Sequence, residues 1–346
     1  MAGRASGRAI PRSALCGVRL PEHGACRMAR LVARRSKALG AKVVLLEGPG
    51  TVDVAALARQ AVADGADLLG VAGGDGTQAL VAGIAAEHDL PFLVISAGTR
   101  NHFALDLGLD RENPAACLGA LTDGVEQRID LGIIGDRTFV NNASFGAYAE
   151  VVRSPAYRDD KRGTTLQILP DLLTGHTGPT LAVRAGAITV TGPQAVLVSN
   201  NAYEMSDIAG LGHRARLDAE MLGIVVVTVN SAMRAVGLLG GGGVMVLTAD
   251  EAVVDADVPE IPVGIDGETV MVPTPVRCAI RPRTLRAGCQ GTAPGSARPS
   301  PGSTRRRCGH WPRPAPRPQP PNPRKCPSDL PSVERPTRLM DRDRCG

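Results

Sequence analysis

Aromatic side chains are scarce in this chain of 346 residues, which has one Trp, three Tyr and four Phe, or 2% of the total. Hydrophobic residues as a whole reach 43%, so there is enough apolar material for a packed core. That core has to be built from Ala, Val, Leu and Ile rather than from stacked rings. The length suffices for one large domain or for two ordinary ones.

Paired metal-binding cysteines and long apolar runs are also missing. The chain has eight Cys, but none of them form a CxxC pair, so no zinc site is predicted. Unpaired thiols in a reducing cytosol are favoured over a disulfide framework. No stretch reaches ~18 uninterrupted apolar residues, and the N-terminal residues contain no coherent apolar segment of a signal peptide. We therefore expect a cytoplasmic protein without a transmembrane segment.

Positive charge is concentrated at the C-terminal end. Residues 287–346 contain twelve Arg or Lys against four Asp or Glu, whereas the whole chain has a formal net charge of +5. The segment is rich in Pro, Arg, Ser and Gly and poor in apolar residues, which predicts a disordered tail. A basic tail is able to bind nucleic acid or anionic lipid. Nucleic acid is the less favoured partner, because Trp311 is the tail's single aromatic residue.

Strands and helices alternate in the first part of the chain. Apolar periodicity and terminal Gly or Pro residues predict strands at 41–48, 66–73 and 91–96 and helices at 25–39, 54–64 and 77–88. Asp53 is the expected N-cap of the helix at 54–64. The alternation indicates βαβ units with a parallel sheet, and hence an α/β domain over 25–129.

From Asp130 onward, short apolar runs separated by turns replace this alternation. Eight such runs lie between residues 137 and 285, at a spacing typical of an antiparallel β-sandwich. One helix is expected to interrupt them at about 164–173. We predict a β-sandwich domain over 130–286, followed by the tail at 287–346.

A glycine-rich turn, Gly73-Gly74-Asp75-Gly76-Thr77, follows one predicted strand and opens the next predicted helix. Glycines there allow a sharp turn and expose N–H groups to an anion, and the helix dipole adds to the attraction. Asp75 would repel a phosphate by itself, which suggests that it holds a Mg²⁺ ion or a hydroxyl group. A purely structural turn, in which Thr77 caps the helix, is the alternative interpretation.

A second turn of small residues follows the next predicted strand, and it contains Gly98, Thr99 and Asn101. Turns after successive parallel strands meet at the carboxyl edge of the sheet, where open α/β folds bind their ligands. The two turns together therefore favour a phosphate site over two unrelated connections.

Six motifs together resemble the diacylglycerol kinase catalytic-domain family, which includes bacterial lipid kinases and sphingosine kinases. They are GGDGT (73–77), AGTRNHFALDLGL (97–109), RIDLG (128–132), FVNNASFG (139–146), VSNN (198–201) and GIDGE (264–268). The first is shared with NAD kinases and phosphofructokinases, whereas the second and the last are more specific. The resemblance covers roughly residues 25–285. It implies an α/β nucleotide-binding domain of the NAD kinase/diacylglycerol kinase type and a β-sandwich domain, with the active site between them.

The resemblance also implies ATP and Mg²⁺ as cofactors and a role for each matching residue. The residues that would contact ATP are Gly73, Gly74, Asp75, Gly76, Thr77, Gly98, Thr99 and Asn101. Three residues would be catalytic: Asp75 beside the phosphates and the metal, Glu268 as the general base on the lipid hydroxyl, and Asp130 in the charged network around that base. These roles suit phosphoryl transfer, which needs charge neutralisation and an activated hydroxyl. From the residues alone, the Asp-Gly pair before Glu268 also predicts a hairpin tip.

Three features depart from the family pattern. Nothing near the N-terminus matches the strand and Asn-Pro-x-Ser-Gly turn with which the family opens, so we expect the first strand to be missing or altered. Ala219-Glu220 stands where an Asp-Gly metal turn is usual, so no structural Mg²⁺ is predicted there. His102 replaces an aspartate after Asn101 and is expected to be a surface histidine.

The predicted function is therefore an ATP-dependent lipid kinase that phosphorylates a hydroxyl of diacylglycerol or a related lipid. Its partner would be lipid at a membrane surface, with peripheral attachment and a homodimer both left open. Two alternatives stay open as well. One is a soluble NAD or small-molecule kinase, and the other is a degenerate nucleotide-binding protein without turnover, suggested by the missing first strand.

Overall fold

The structure is a computed structural model that describes residues 13–18, 25–44, 53–98, 101–110, 113–123, 125–153, 178–204, 213–228, 243–289 and 309–310. All of the described residues lie in one compact unit, Met1–Pro314. The helix predicted at 164–173 lies outside the described residues. So does the predicted tail, apart from 287–289 and 309–310.

The helices of the described residues are α1 (Ala25–Ala38), α2 (Val54–Ala63), α3 (Asp75–Glu87), α4 (His102–Asp106), the 3-10 helix η1 (Ala116–Gly119), α5 (Ala120–Asp123) and α6 (Ala147–Arg153). The first strands are β1 (Ser13–Val18), β2 (Lys42–Val43), β3 (Leu68–Gly73), β4 (Pro91–Ser96), β5 (Val125–Ile134), β6 (Arg137–Phe139), β7 (Asn142–Gly146), β8 (Leu181–Ala185) and β9 (Ile188–Thr191). The remaining strands are β10 (Ala195–Asn200), β11 (Leu222–Val227), β12 (Val244–Ala249), β13 (Glu251–Ala256), β14 (Glu260–Ile265), β15 (Glu268–Pro273), β16 (Val276–Cys289) and β17 (Gly309–His310). None of the described helices is long and apolar enough to cross a bilayer.

The N-terminal part is an α/β layer built on parallel strands. β1 pairs in parallel with β2 and β3, and β3 pairs in parallel with β4. Every residue of β3 and β4 is buried, as expected for parallel strands covered on both faces. Asp53 caps α2 as predicted, because its carboxylate accepts a 2.9 Å hydrogen bond from the Ala56 N–H. The predicted α/β architecture is confirmed.

A first strand, which we expected to be missing or altered, is present. Residues Ser13–Val18 form β1, in which Ser13 lies opposite Leu68 and Ala14 opposite Leu69. The segment SALCGV has no marked strand pattern of its own, whereas neighbouring strands on both sides supply its hydrogen-bond partners. Strand formation here is decided by context rather than by intrinsic propensity.

β16 joins the α/β layer to the β-sandwich. Its first residues pair antiparallel with β13, its last residues pair in parallel with β4, and β5 runs antiparallel along most of it. The parallel strands therefore continue into the antiparallel strands β13, β8 and β9 within one sheet. The second layer of the sandwich is antiparallel, in the order β12-β11-β10-β7-β14-β15. An apolar core that includes Val183, Val254, Val196 and Ile224 lies between the layers, which confirms the predicted sandwich.

The described strand β16 runs past residue 287, where the tail is predicted to begin. Ala287 is fully buried. Arg286 forms a fork on Glu126, with Nε 2.7 Å from Oε1 and Nη2 2.9 Å from Oε2. These residues therefore belong to the folded sheet.

A chain ending at Leu285 is expected to melt about 5 °C or more below a chain ending at Cys289. The shorter chain loses the Arg286 fork and the buried Ala287, and losses of this kind cost about 1–3 kcal/mol each. Thermal unfolding of the two purified truncated chains measures the difference. Equal midpoints would show that the end of β16 contributes nothing to stability.

Candidate active site

The two glycine turns lie side by side at the carboxyl edge of β3 and β4. Gly74 is the N-cap of α3, and Gly98 lies just beyond β4. A Cβ atom added at Gly98 would stand 2.5 Å from the Cα atom of Gly74, so the turns leave no space for a side chain there. The Ala97 N–H also donates a 3.4 Å hydrogen bond to the Gly73 carbonyl. The two turns thus form one surface of backbone.

Asn101 folds the second turn from within. Its backbone is left-handed, with φ 51° and ψ 43°. Its side-chain oxygen accepts a 2.8 Å hydrogen bond from the Gly98 N–H, and its Nδ2 donates one of 2.7 Å to the Gly98 carbonyl. Because the side chain is buried and engaged with Gly98, its role is to shape the turn. A direct contact of Asn101 with ATP stays a prediction.

Gln78 stabilises the first turn through a hydrogen bond to its backbone. This buried side chain donates a 2.7 Å hydrogen bond from Nε2 to the Gly73 carbonyl. Thr77 packs on the other side of the same residue, since a Cβ at Gly73 would stand 3.1 Å from the Thr77 Cβ. Gln78 was not predicted as a site residue, because one glutamine on an apolar helix belongs to no motif.

Asp75 connects the first turn to α4. It is the first residue of α3, and its Oδ1 accepts a 3.3 Å hydrogen bond from the Phe103 N–H. A negative charge is favourable at the N-terminus of a helix. The half-buried Asp75 carboxylate therefore stands at the point where both turns and α4 meet.

Glu268 lies against the first glycine turn, although the two are far apart in the sequence. A Cβ at Gly76 would stand 2.8 Å from Oε1 of Glu268. Glu268 is exposed and directly follows the turn residues Asp266 and Gly267. Their φ angles, 46° and 89°, are both positive, as a type I′ hairpin turn requires. Glu268 therefore flanks a hairpin turn, as one interpretation predicts, and this turn places it beside Gly76. Its role as the general base stays a prediction.

Asp266 anchors this hairpin. Its carboxylate accepts backbone hydrogen bonds of 2.9, 2.8 and 3.1 Å from Val140, Asn141 and Asn142, respectively. The pKa of Asp266 is raised to about 7, chiefly by burial and also by the charge of Asp75, although the three backbone donors act to lower it. Asp75 is thus near enough to act on Asp266. Asp266 was not predicted as a site residue, although it is one of the two carboxylates of the GIDGE motif.

Asp130 is fully buried and holds backbone from two other segments. Its carboxylate accepts hydrogen bonds from Asn201 Nδ2 (3.1 Å), the Glu220 N–H (2.7 Å) and the Arg283 N–H (2.8 Å). Glu220 and Arg283 both have positive φ angles, 62° and 50°, which cost energy in residues other than glycine. Within the described residues, no hydrogen bond joins Asp130 to Glu268. A place for Asp130 in the network around the base stays a prediction.

Metal ligands do not cluster among the described residues, since no three His, Cys, Asp or Glu side chains are grouped to hold an ion. At the turn containing Glu220, positive charge is supplied by Arg283. Its Nε lies 2.6 Å from Glu220 Oε1, and its Nη2 lies 3.8 Å from Asp218 Oδ2. Because the described residues offer no such group around Asp75, a metal ion there would need further ligands from its substrate or from water.

The second turn is described only in part. Thr99 lies outside the described residues, so its predicted contact with ATP is not placed. His102 begins α4 and is half-buried, so it is less exposed than a histidine that stands free at the surface. The reason is that the next residues, Phe103 and Ala104, are fully buried and hold the short helix against the core.

Known proteins resemble this chain in sequence over its N-terminal part. The family model described as the diacylglycerol kinase catalytic domain matches residues 22–134. A diacylglycerol kinase of Mycobacterium tuberculosis is 38% identical over 118 residues, which are 34% of this chain and 38% of that protein. A diacylglycerol kinase of Bacillus subtilis strain 168 is 37% identical over 101 residues, which are 29% of this chain and 33% of that protein. The matches thus span less than two fifths of these relatives.

The likeness in fold extends much further along the chain. A solved structure of a diacylglycerol kinase from Bacillus anthracis strain Sterne superposes with a TM-score of 0.57 at 16% identity, covering 81% of this chain and 97% of that chain. Another from the same strain reaches a TM-score of 0.62 at 17% identity, with the same coverage. The motifs, the fold and these matches agree, and the resemblance to the diacylglycerol kinase catalytic-domain family is confirmed, in sequence over residues 22–134 and in fold over most of the chain.

Proposed function

We propose that the protein is an ATP-dependent lipid kinase, which transfers a phosphoryl group to a hydroxyl of diacylglycerol or a related lipid. The contact between Glu268 and Gly76 carries this proposal. It brings a carboxylate from the sandwich against a glycine turn at a helix N-terminus. A kinase needs these two parts together, because the attacking hydroxyl has to lie in line with the phosphate. The relatives named diacylglycerol kinases support a lipid as the acceptor.

The glycine turns are the proposed cradle for the ATP phosphates. A side chain at Gly98 would collide with Gly74, so this surface consists of backbone alone. The N-terminus of α3 adds N–H groups and a favourable dipole. We assign the phosphates to residues 73–77 and Gly98, with Thr99 as a further predicted contact.

Glu268 is the proposed general base. An exposed carboxylate on a hairpin that Asp266 anchors is able to accept the proton of a hydroxyl as that hydroxyl attacks. Asp130 holds the backbone of Glu220 and Arg283, and its place in the charged network around this base stays a prediction. We propose no direct contact between Asp130 and the lipid.

Mg²⁺ fits this site with few protein ligands. The ion commonly keeps several waters and binds one or two carboxylates together with substrate phosphates. Asp75 would hold it, and the charge of Asp75 already acts on Asp266, which a cation would relieve. When bound, Mg²⁺ would neutralise charge on the phosphates.

The acceptor determines where the protein works. A diacylglycerol or similar lipid stays in the bilayer, so we propose peripheral attachment at the cytoplasmic surface of a membrane. A homodimer stays a prediction.

The two alternative functions have less support. A soluble NAD or small-molecule kinase would share the first glycine turn, but the matching family and relatives are lipid kinases. A degenerate protein without turnover was suggested by a missing first strand, and that strand is present.

Transfer of label from radioactive ATP tests the proposal. Pure protein and Mg²⁺ are incubated either with an extracted lipid pool or with NAD and a pool of water-soluble acceptors. We expect label in a lipid, which product analysis then identifies. Label in a soluble acceptor alone would favour the second function, and ATP binding without any transfer would favour the third.

Replacing Gly98 by alanine is expected to weaken ATP binding about tenfold or more, because overpacking of ~1–3 kcal/mol would push the two turns apart. Gly119→Ala is the matched control, since a Cβ at Gly119 would have no atom within 4 Å. Calorimetric titration with ATP measures both affinities. Wild-type affinity in a folded Gly98→Ala variant would argue against the cradle.

A further inference from the structure

Arg214 is the most completely engaged buried cation among the described residues. Its Nε lies 2.7 Å and its Nη2 2.6 Å from Asp106 Oδ2. Nη1 donates to the carbonyls of Val140 (2.6 Å) and Asn200 (2.8 Å), and Nη2 also donates to Asn141 Oδ1 (2.9 Å). A guanidinium has five N–H groups in a planar fork; hydrogen bonds use four of them, and Nη2 also forms an ion pair with Asp106.

The surroundings of Arg214 are closed to water. Its side chain is 0% exposed and that of Asp106 3%, and the Tyr203 ring centroid lies 5.7 Å from the guanidinium carbon. The Tyr203 hydroxyl accepts a 3.0 Å hydrogen bond from Asn142 Nδ2. A buried ion pair is often no more stabilising than apolar packing. Stability alone therefore explains this arrangement poorly.

The segment 140–142 lies between Arg214 and the hairpin of Glu268. The Val140 carbonyl and the Asn141 side-chain oxygen accept hydrogen bonds from the Arg214 guanidinium. The N–H groups of the same two residues donate to Asp266, which begins the turn before Glu268. Segment 140–142 and the carboxylate of Asp266 thus connect Arg214 to the hairpin, so a shift of Arg214 would also move Glu268.

On its other side, Arg214 is connected to the glycine turns. Asp106 is the last residue of α4, the helix that follows the second turn. The Phe103 N–H of the same helix donates to Asp75 in the first turn. Arg214 therefore joins the proposed nucleotide site to the hairpin that carries the proposed base.

We propose that Arg214 is a positioning residue, which sets the place of Glu268 relative to the glycine turns through Asp106, Val140 and Asn141. Its effect on catalysis rests on the proposed function, whereas the coupling between α4 and the hairpin does not. Arg214 touches neither the nucleotide nor the lipid in this scheme. Its fork geometry matters as well as its charge, because lysine offers its three donors from a single nitrogen.

The test compares Arg214→Lys with Arg286→Lys in the full chain. Arg286 is the matched control, since its guanidinium also forms a fork on a carboxylate, Glu126, and donates to a carbonyl, that of Asp89 (2.7 Å). Its strand neighbour is Pro91, at the end of β4 opposite to the glycine turns. Both variants keep the charge and lose the fork, so a merely structural role predicts similar behaviour for the two.

Hydrogen exchange measures the coupling without any need for turnover. In Arg214→Lys, amides in residues 139–146 and 263–270 are expected to exchange about tenfold faster than in the wild type, because their common anchor is loosened. In Arg286→Lys these two segments should exchange as in the wild type. Equal exchange of both segments in the two variants would overturn the proposal.

Kinetics then measure the consequence for catalysis. In Arg214→Lys, kcat for the lipid is expected to fall about 10- to 100-fold, the effect of a displaced catalytic group, while the Kd for ATP stays within about threefold. Arg286→Lys should keep its kcat at a temperature where both variants are folded. An unchanged kcat in Arg214→Lys would also overturn the proposal. If the wild type phosphorylates no lipid, the proposed function fails, and the exchange experiment still decides whether Arg214 couples the two sites.

Discussion

Replacing Glu268 by glutamine is expected to lower the rate of phosphoryl transfer by about 10² to 10⁴, the usual contribution of general base catalysis. Glutamine keeps the size of the side chain and its ability to form hydrogen bonds, but it accepts no proton. The affinity for ATP should change little, because the phosphates are assigned to backbone at Gly74 and Gly98. Single-turnover rates and ATP titration on the same variant measure both quantities.

Glu260 offers a matched control on the same hairpin. It is exposed like Glu268, but it begins β14 and pairs with Pro273 at the far end of the hairpin. Glu260→Gln should therefore keep the wild-type rate. Full turnover in Glu268→Gln, or a loss of ATP affinity as large as the loss of rate, would mean that Glu268 is not the base.

Replacing Asp75 by asparagine is expected to reduce phosphoryl transfer by about 10²-fold or more, as does the loss of other preorganised polar groups at reacting centres. Asparagine retains an oxygen that can accept the hydrogen bond from the Phe103 N–H, so the turn should keep its shape. What is lost is the negative charge proposed to hold Mg²⁺. Initial rates over a range of Mg²⁺ concentrations, together with circular dichroism, measure the effect.

Asp53 provides the control for Asp75. It also stands at a helix N-terminus, where its carboxylate accepts from the Ala56 N–H (2.9 Å), but it caps α2 rather than α3. Because asparagine is about as good an N-cap as aspartate, Asp53→Asn should keep both stability and rate. Wild-type turnover in Asp75→Asn would remove Asp75 from the proposed mechanism.

Elements with a strong local pattern were predictable from the sequence. The strand at 91–96 has the predicted bounds in the structure, and the helix predicted at 77–88 is found at Asp75–Glu87. Apolar periodicity and glycine turns act over a few residues, so they can be detected along the chain. The same local signals located both glycine turns, which are most of the candidate nucleotide site.

The first strand and the extent of β16 show where local patterns are insufficient. Ser13–Val18 is a strand because β2 and β3 flank it, and nothing in the segment SALCGV predicts those neighbours. The run predicted as a strand of the sandwich continues to Cys289, because β4 and β5 supply partners for its last residues. Both features depend on pairing between distant segments.

The chemistry of the candidate site divides in the same way. The motifs predicted Asp75 and Glu268 as site residues. Their proximity at Gly76 depends on how the hairpin of β14 and β15 packs against α3. Arg214 belongs to no motif, and its importance appears only where its guanidinium forms hydrogen bonds with oxygens from separate segments. Hydrogen bonds and close contacts between segments distant in sequence leave no periodic trace in the chain, so only the folded structure could reveal them.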